Sequence, residues 1–350
     1  MNEARQEVTN RKRRAFITGL TGQDGSYLAE FLLKKGYEVY GLARRTSNDP
    51  FARIDALRTG RLITVLPGNL RDSGSLERAI KISDPDEIYN LAAQSDVGVS
   101  FECPEETFEI NYHGLGRLVH AAHEHNPKVR IYQASTSEMF GKTMPPQNEH
   151  SAFDPVSPYG LAKLRAHEDY VAGYRQKHGL FICSGILFNH ESPRRGRHFV
   201  TRKITTSLAK IKLGLQESFE LGNLEAKRDW GFAGDYVEAM WKILQRREPK
   251  DFVISTGESH TVRDFVNLAA AALDIKLTWH GSGLDETAAD DSGRVILRIN
   301  PKYYRPQEVN YLLGDSAAAR KELGWEPKCG FAELVKMMAA SDLESLKKQI

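Results

Sequence analysis

Short apolar runs separated by segments with helical spacing fill the first half of the chain, and that rhythm leaves few folds open. The runs are Arg14 to Thr18, Tyr37 to Leu42, Ile63 to Leu66, Glu87 to Leu91, Val129 to Ala134 and Phe181 to Phe188. Helical patterns lie between them around Ser26 to Lys35, Ser73 to Ile82, Thr107 to His123 and Pro158 to His178. Several runs show no polar alternation, as expected of strands covered by helices on both faces. Strands that follow one another through helical crossovers pair in parallel. The predicted class is therefore α/β, a doubly wound parallel Rossmann sheet.

The rhythm breaks after Phe188 at a Pro, Gly and Arg cluster, Ser192 to Arg197, and a smaller C-terminal α/β region follows. Trp230 to Arg247 and Phe252 to Ser255 again read as a helix leading into a strand, so the chain is expected to return to the first sheet. Residues 10–188 and 229–258 are assigned to the sheet domain, and 189–228 and 259–348 to a substrate domain. Thr261 and Asp264 have capping-box spacing ahead of a helix to Leu273. Phe331 to Leu346 has the spacing of a terminal amphipathic helix.

Composition excludes several classes. The 48 Lys+Arg and 46 Asp+Glu leave a formal charge of +2, which gives no bulk attraction to nucleic acid or membrane. No apolar run approaches the roughly 20 residues of a bilayer span. The polar N-terminus lacks the apolar core of a secretion signal, so a cytoplasmic location is expected. Cys103, Cys183 and Cys329 are isolated and form neither a disulfide framework nor a zinc-site spacing.

The chemistry begins where the first strand ends. Ala15 to Thr18 runs into Gly19-Leu-Thr-Gly22-Gln-Asp-Gly25, and a helical segment follows at once. Such glycines allow a tight turn and let a pyrophosphate approach the backbone at the positive helix end. A purely structural turn would need them too, but the strand-turn-helix context favours a dinucleotide. At the end of the second strand, an acidic residue would bind the ribose diol of NAD, whereas arginine suits the 2′-phosphate of NADP. The chain reads Arg44-Arg45-Thr46-Ser47 there, so NADP is the expected cofactor over a merely solvated basic turn.

Tyr159 and Lys163 stand at i and i+4 on one face of a predicted helix. A lysine cation beside a phenol stabilises phenolate and makes tyrosine a usable base. The fifth run ends in Ser135-Thr136-Ser137-Glu138, at the strand end where ligands bind. Thr136 can bond a reacting hydroxyl. Glu138 either caps a loop or moves a second proton, and a second proton transfer points to abstraction from carbon.

In this order, these strings closely resemble the GDP-mannose 4,6-dehydratases, a nucleotide-sugar family of the extended short-chain dehydrogenase/reductases. The resemblance runs from about Lys12 to Pro327. It rests on Thr18 to Gly25, Asn90 to Ser95, Ser135 to Gly141, Tyr159 to Lys163, Leu187 to Gly196, Val200 to Ile204, Leu221 to Gly231 and Tyr303 to Pro306. It implies a hydro-lyase working through tightly held NADP. Tyr159 would deprotonate the sugar 4-hydroxyl while hydride leaves C4, with Thr136 orienting O4 and Lys163 holding the nicotinamide ribose and tuning Tyr159. Glu138 would take the C5 proton and assist loss of water from C6, to which the hydride returns.

The implied cofactor contacts are Gly19, Thr21, Gly22, Gln23, Asp24 and Gly25, then Arg44, Arg45, Thr46 and Ser47, then Asn69 and Leu70. Leu91, Ala92, Ala93, Gln94 and Ser95 follow, with Tyr159, Lys163, His190 and Arg195. The implied GDP-sugar contacts are Ser95, Thr136, Glu138, Tyr159, Asn189, Lys203, Gly222, Arg228, Arg305 and Glu308. Lys203, Arg228 and Arg305 suit a diphosphate. The resemblance also implies self-association as a homodimer or homotetramer, through helices near Tyr159 and the Arg44 to Arg53 segment.

The chain departs from the family pattern at Asn69, Asp96, Glu106 and Phe232. Asp96 and Phe232 replace histidines near the sugar, which raises GDP-D-glycero-α-D-manno-heptose as an alternative substrate. A GDP-4-keto-6-deoxymannose reductase would need no C5 base, so Glu138 argues against it. A noncatalytic NADP sensor would not need Thr136, Tyr159 or Lys163.

Overall fold

The alternation builds a sheet covered on both faces. The computed structural model describes residues 11–47, 49–303 and 311–350. Among these, β1 (Arg14–Thr18), β2 (Glu38–Ala43), β3 (Ile63–Pro67), β4 (Glu87–Asn90), β5 (Arg130–Thr136), β6 (Ile182–Leu187) and the strand Phe252–Ile254 form one seven-stranded sheet. Its order is Phe252–Ile254, β6, β5, β4, β1, β2, β3, and every pair is parallel. The chain winds from β1 outward to β3, then starts again at β4 and winds the other way. The connections leaving β1 and β4 diverge, which opens a crevice beyond their carboxyl ends.

Each face of the sheet has its own core. Leu28 and Leu32 of helix Gln23–Lys34 pack with Val237 and Met240 of helix Ala233–Leu244 on one side. Leu76, Ile80, Leu115, Leu118 and Val119 fill the other. Burying one such leucine contributes about 1.5–3 kcal/mol. Trp325, numbered within the predicted substrate domain, packs into the first of these cores and donates its indole N–H to Asp235 O at 2.8 Å.

The second lobe packs helices Val200–Lys212, Val262–Ala272 and Phe331–Lys347 around Leu208, Phe265, Leu297, Leu334 and Met338. A four-stranded sheet of Thr278–His280, Thr287–Ala289, Val295–Ile299 and Phe219–Leu221 completes it. The capping box is present: Asp264 N donates to Thr261 Oγ1 at 3.0 Å and Thr261 N to Asp264 Oδ2 at 2.9 Å. Among the described residues, no helix is long and apolar enough to cross a membrane.

Two local expectations change. Trp230–Phe232 is a strand, paired in parallel with Asn189–Glu191, and the helix starts only at Ala233. The predicted helices Thr107 to His123 and Pro158 to His178 each contain a widened π segment, Glu109–His113 and His167–Ala172. The two segments meet, with Tyr112 and Tyr170 rings 5.0 Å apart and Tyr112 Oη donating to Asp169 Oδ2 at 2.8 Å. Gly116 makes the crossing possible, because a Cβ there would lie 2.4 Å from the Tyr170 ring.

Asp229 ties three loops together. Its fully buried carboxylate accepts from Thr256 N (2.8 Å), Thr256 Oγ1 (2.7 Å), Gly257 N (3.0 Å) and Gly314 N (3.4 Å). Burial raises its pKa and these hydrogen bonds oppose the rise. Asp229→Asn sets an amide against backbone donors, at an expected cost of about 2–3 kcal/mol. Urea unfolding checks this: the midpoint should fall at constant slope, and an unchanged midpoint would contradict the tie.

Candidate active site

A buried polar ladder fixes the strand ends on which the cleft stands. Thr18 Oγ1 donates to Asn90 Oδ1 (2.5 Å), and Asn90 Nδ2 donates to Gln133 Oε1 (2.7 Å). Ala92 N donates back to Thr18 Oγ1 (3.2 Å). Gly19 then turns the chain at φ +72°, where a Cβ would lie 2.7 Å from Ala92 N. A Cβ on Gly25 would lie 2.3 Å from Gly19 O, so only glycine lets helix Gln23–Lys34 start directly against the turn. No side chain caps that helix, and its first amides suit a phosphate pair. These residues fit a nicotinamide dinucleotide.

Thr136 closes β5, and Glu138 follows in the 3₁₀ turn Ser137–Met139, with Glu138 N donating to Thr136 Oγ1 at 3.2 Å. Helix Pro158–Ala166 begins beside this turn, with Ser157 Oγ accepting Gly160 N at 3.0 Å. A Cβ on Gly160 would sit 2.6 Å from Glu138 O, so this glycine brings Tyr159 and Glu138 together. All of Thr136, Glu138, Tyr159 and Lys163 are buried. Burial pushes the Tyr159 phenol up to about 12; a hydrogen bond with Thr136 opposes the rise and the Glu138 charge adds to it. Burial pushes Lys163 down to about 8. Lys163 Nζ donates to Ala134 O at 2.8 Å and lies 6.0 Å from the Tyr159 ring centre. Desolvation thus outweighs the other influences on Tyr159, and the bond to Ala134 O uses one of the three Lys163 N–H donors.

Both lobes line one cleft of about 1000 Å³. Gly19, Thr21, Gly22, Gln23, Asp24, Gly25, Arg44, Asn69, Leu70, Leu91, Ala92, Ala93 and Ser95 line it with the four buried residues above. Asn189, His190, Arg195, Lys203, Gly222 and Arg228 complete it from the far side. Arg45, Thr46 and Ser47 are exposed beyond Arg44 and do not line it. Gln94 is turned into the protein, where its Nε2 donates to Thr107 Oγ1 (3.1 Å) and its Oε1 accepts Asp96 N (2.7 Å). Arg305 and Glu308 lie outside the described residues. Arg53 and Tyr303, which the sequence reading places in motifs without a ligand contact, also line the cleft. Arg53 Nε donates to Arg194 O at 2.7 Å, and Lys203 Nζ lies 3.5 Å above the Tyr303 ring.

His190 latches the glycine turn to the second lobe. Its Nε2 lies 2.8 Å from Asp24 Oδ2 and its Nδ1 2.8 Å from Phe188 O. With Asp24 ionised both partners are acceptors, an arrangement that favours a proton on each ring nitrogen. Gln23 Nε2 also donates to His190 O at 3.1 Å, and the His190 ring stacks on Tyr236 at 4.6 Å.

The family model described as GDP-mannose 4,6 dehydratase matches residues 16–338. The chain belongs to the GDP-mannose 4,6-dehydratase family. It is similar to the GDP-mannose 4,6 dehydratase of Drosophila melanogaster, at 51% identity over 356 residues, covering 99% of this chain and 90% of that one. It is also similar to the GDP-mannose 4,6 dehydratase of Homo sapiens, at 48% identity over 343 residues, covering 95% and 92%. The fold of this dehydratase-family chain is shared with the UDP-glucose 4-epimerase of Thermotoga maritima, with a TM-score of 0.80 at 22% identity over 95% of this chain and 99% of that one. The Thermus thermophilus UDP-glucose 4-epimerase, solved with NAD, has a TM-score of 0.78 at 26% identity over 94% and 98%.

Burial disfavours the His190 cation, but Asp24 and the Phe188 carbonyl outweigh it and raise the pKa. The Asp24 pKa is lowered, against its own burial, chiefly by His190. A raised histidine pKa gives stability that is fully present below the unfolded value of about 6.5 and lost as pH rises through the folded value. The stability lost in His190→Gln should accordingly be larger near pH 6 than near pH 9 in urea unfolding. A pH-independent difference would show that the folded ring is neutral.

Proposed function

We propose that this chain converts GDP-mannose to GDP-4-keto-6-deoxymannose and water, with NADP as resident cofactor. The reading is carried by the burial of Thr136, Glu138 and Tyr159 together in a cleft whose other end is a glycine cradle. Relatives named for GDP-mannose at about half identity support the hexose over the heptose alternative. Arg44 lining the cleft beyond β2, with no carboxylate beside it, supports NADP over NAD.

The glycine turn and Arg44 would hold the dinucleotide, which would supply a reversible hydride acceptor for the sugar. Tyr159 accepts the proton of the 4-hydroxyl, and Thr136 orients that oxygen. Lys163, one helical turn from Tyr159, supplies the positive charge that a phenolate needs. The 4-ketone acidifies the C5 proton, which Glu138 removes. The same carboxyl then protonates the departing C6 hydroxyl. Lys203 and Arg228 hold the diphosphate, whose charge would otherwise be costly to desolvate. A reductase reading leaves Glu138 without a task. Self-association through helices near Tyr159 and the Arg44 to Arg53 segment belongs to the same reading.

Positioned acid–base groups contribute about 10²–10⁴-fold to rate. Glu138→Gln should therefore slow release of water by that factor while C4 oxidation continues, so absorbance from reduced nicotinamide builds up in a single turnover. A near-normal rate of water loss in this variant would overturn the assignment.

A further inference from the structure

The terminal helix Phe331–Lys347 carries a carboxylate where its apolar row calls for a hydrophobic residue. Leu334, Val335, Met338, Ala339 and Leu346 of that row are buried, and Asp342 sits in the same row at 5% exposure. Its partner is Arg202 of helix Val200–Lys212, itself 7% exposed. Arg202 Nη2 lies 2.6 Å from Asp342 Oδ1, and Nε lies 3.1 Å from Oδ2. Thr205 Oγ1 (2.6 Å) and Thr206 Oγ1 (3.2 Å) donate to the same Oδ2. The remaining edge of the guanidinium is used elsewhere: Nη1 donates to Pro193 O, and to Arg195 O at 2.9 Å.

Those carbonyls belong to the segment that presents Arg195 to the cleft. At its other end Arg195 N donates to Ser192 O (3.0 Å), and Ser192 Oγ donates to Gln23 Oε1 of the glycine turn (2.7 Å). The Arg195 guanidinium lies 3.6 Å above the Phe199 ring. Its buried Nε is ion-paired with Glu191 Oε2 at 3.2 Å and has no hydrogen-bond acceptor among the described residues. We propose that Asp342 and Arg202 are positioning residues for Arg195: Asp342 aims the Arg202 fork, the fork grips two loop carbonyls, and the grip sets where the Arg195 cation stands toward the dinucleotide. This rests on the reading of Arg195 as a cofactor contact.

A buried ion pair can often be exchanged for apolar residues without loss of stability. The carbonyl grip cannot be exchanged in that way, and this difference separates positioning from mere scaffolding. The full-length chain is titrated with NADPH, following nicotinamide fluorescence, alongside thermal melts. The double variant Arg202→Met/Asp342→Leu should melt near wild type but bind about tenfold more weakly, the equivalent of one charge-assisted hydrogen bond. Arg195→Ala should weaken binding to a similar degree, and adding it to the double variant should cause little further loss. Wild-type affinity in the folded double variant, or losses that multiply, would overturn the proposal. Undiminished binding by Arg195→Ala would remove the reading of Arg195 and the proposal with it. If the apolar pair does not fold, Arg202→Lys keeps the charge but loses the fork; a weaker complex supports the grip and an unchanged one overturns it.

Discussion

Thr18, Asn90 and Gln133 form a line of buried hydrogen bonds across β1, β4 and β5, and the candidate site residues are placed from that line. The glycine turn leaves β1 immediately after Thr18, and the Leu91 to Ser95 stretch leaves β4 after Asn90. Thr136 and Glu138 leave β5 beyond Gln133, and Gly160 lets the Tyr159 helix come to rest against Glu138. Each member of the line is satisfied by its neighbour, so polar side chains can be buried at strand ends without leaving orphaned donors.

Desolvation is the second constraint, and it acts with opposite signs on neighbouring groups. It raises the Tyr159 phenol and lowers Lys163, shifting each toward its neutral form. At Asp24 and His190 the same burial is overcome, because the two groups ionise together as a hydrogen-bonded pair. The cleft thus holds an ion pair, Asp24 with His190, beside the glycine turn, while the Tyr159 phenol stays protonated and Lys163, though lowered to about 8, still carries its charge at neutral pH.

Much of this was legible from residues 14 to 187. Unbroken apolar strands, glycines at a strand-to-helix turn and the Tyr159–Lys163 spacing depend on local pattern, and local pattern survives tertiary packing. What was not legible depends on distant partners. The π segments exist because Tyr112, Asp169 and Tyr170 meet over Gly116. Trp230–Phe232 is extended because Asn189–Glu191 lies beside it. The role of the Gln94 amide, which holds its own loop through Thr107 and Asp96, depends on such a partner. Asp342 left a trace, a carboxylate within an apolar helical row, but its partner and the Arg195 segment beyond could be found only in three dimensions.

The central claim is that hydride leaves and re-enters the same sugar inside one cleft, with Glu138 moving protons between the two events. GDP-mannose deuterated at C4, incubated with the purified protein and no added cofactor, tests it directly. The account predicts a product lighter by water, with deuterium at C6 and no net change in NADPH. Deuterium lost to solvent or carried off on released reduced cofactor would contradict it, as would a product that has not lost water.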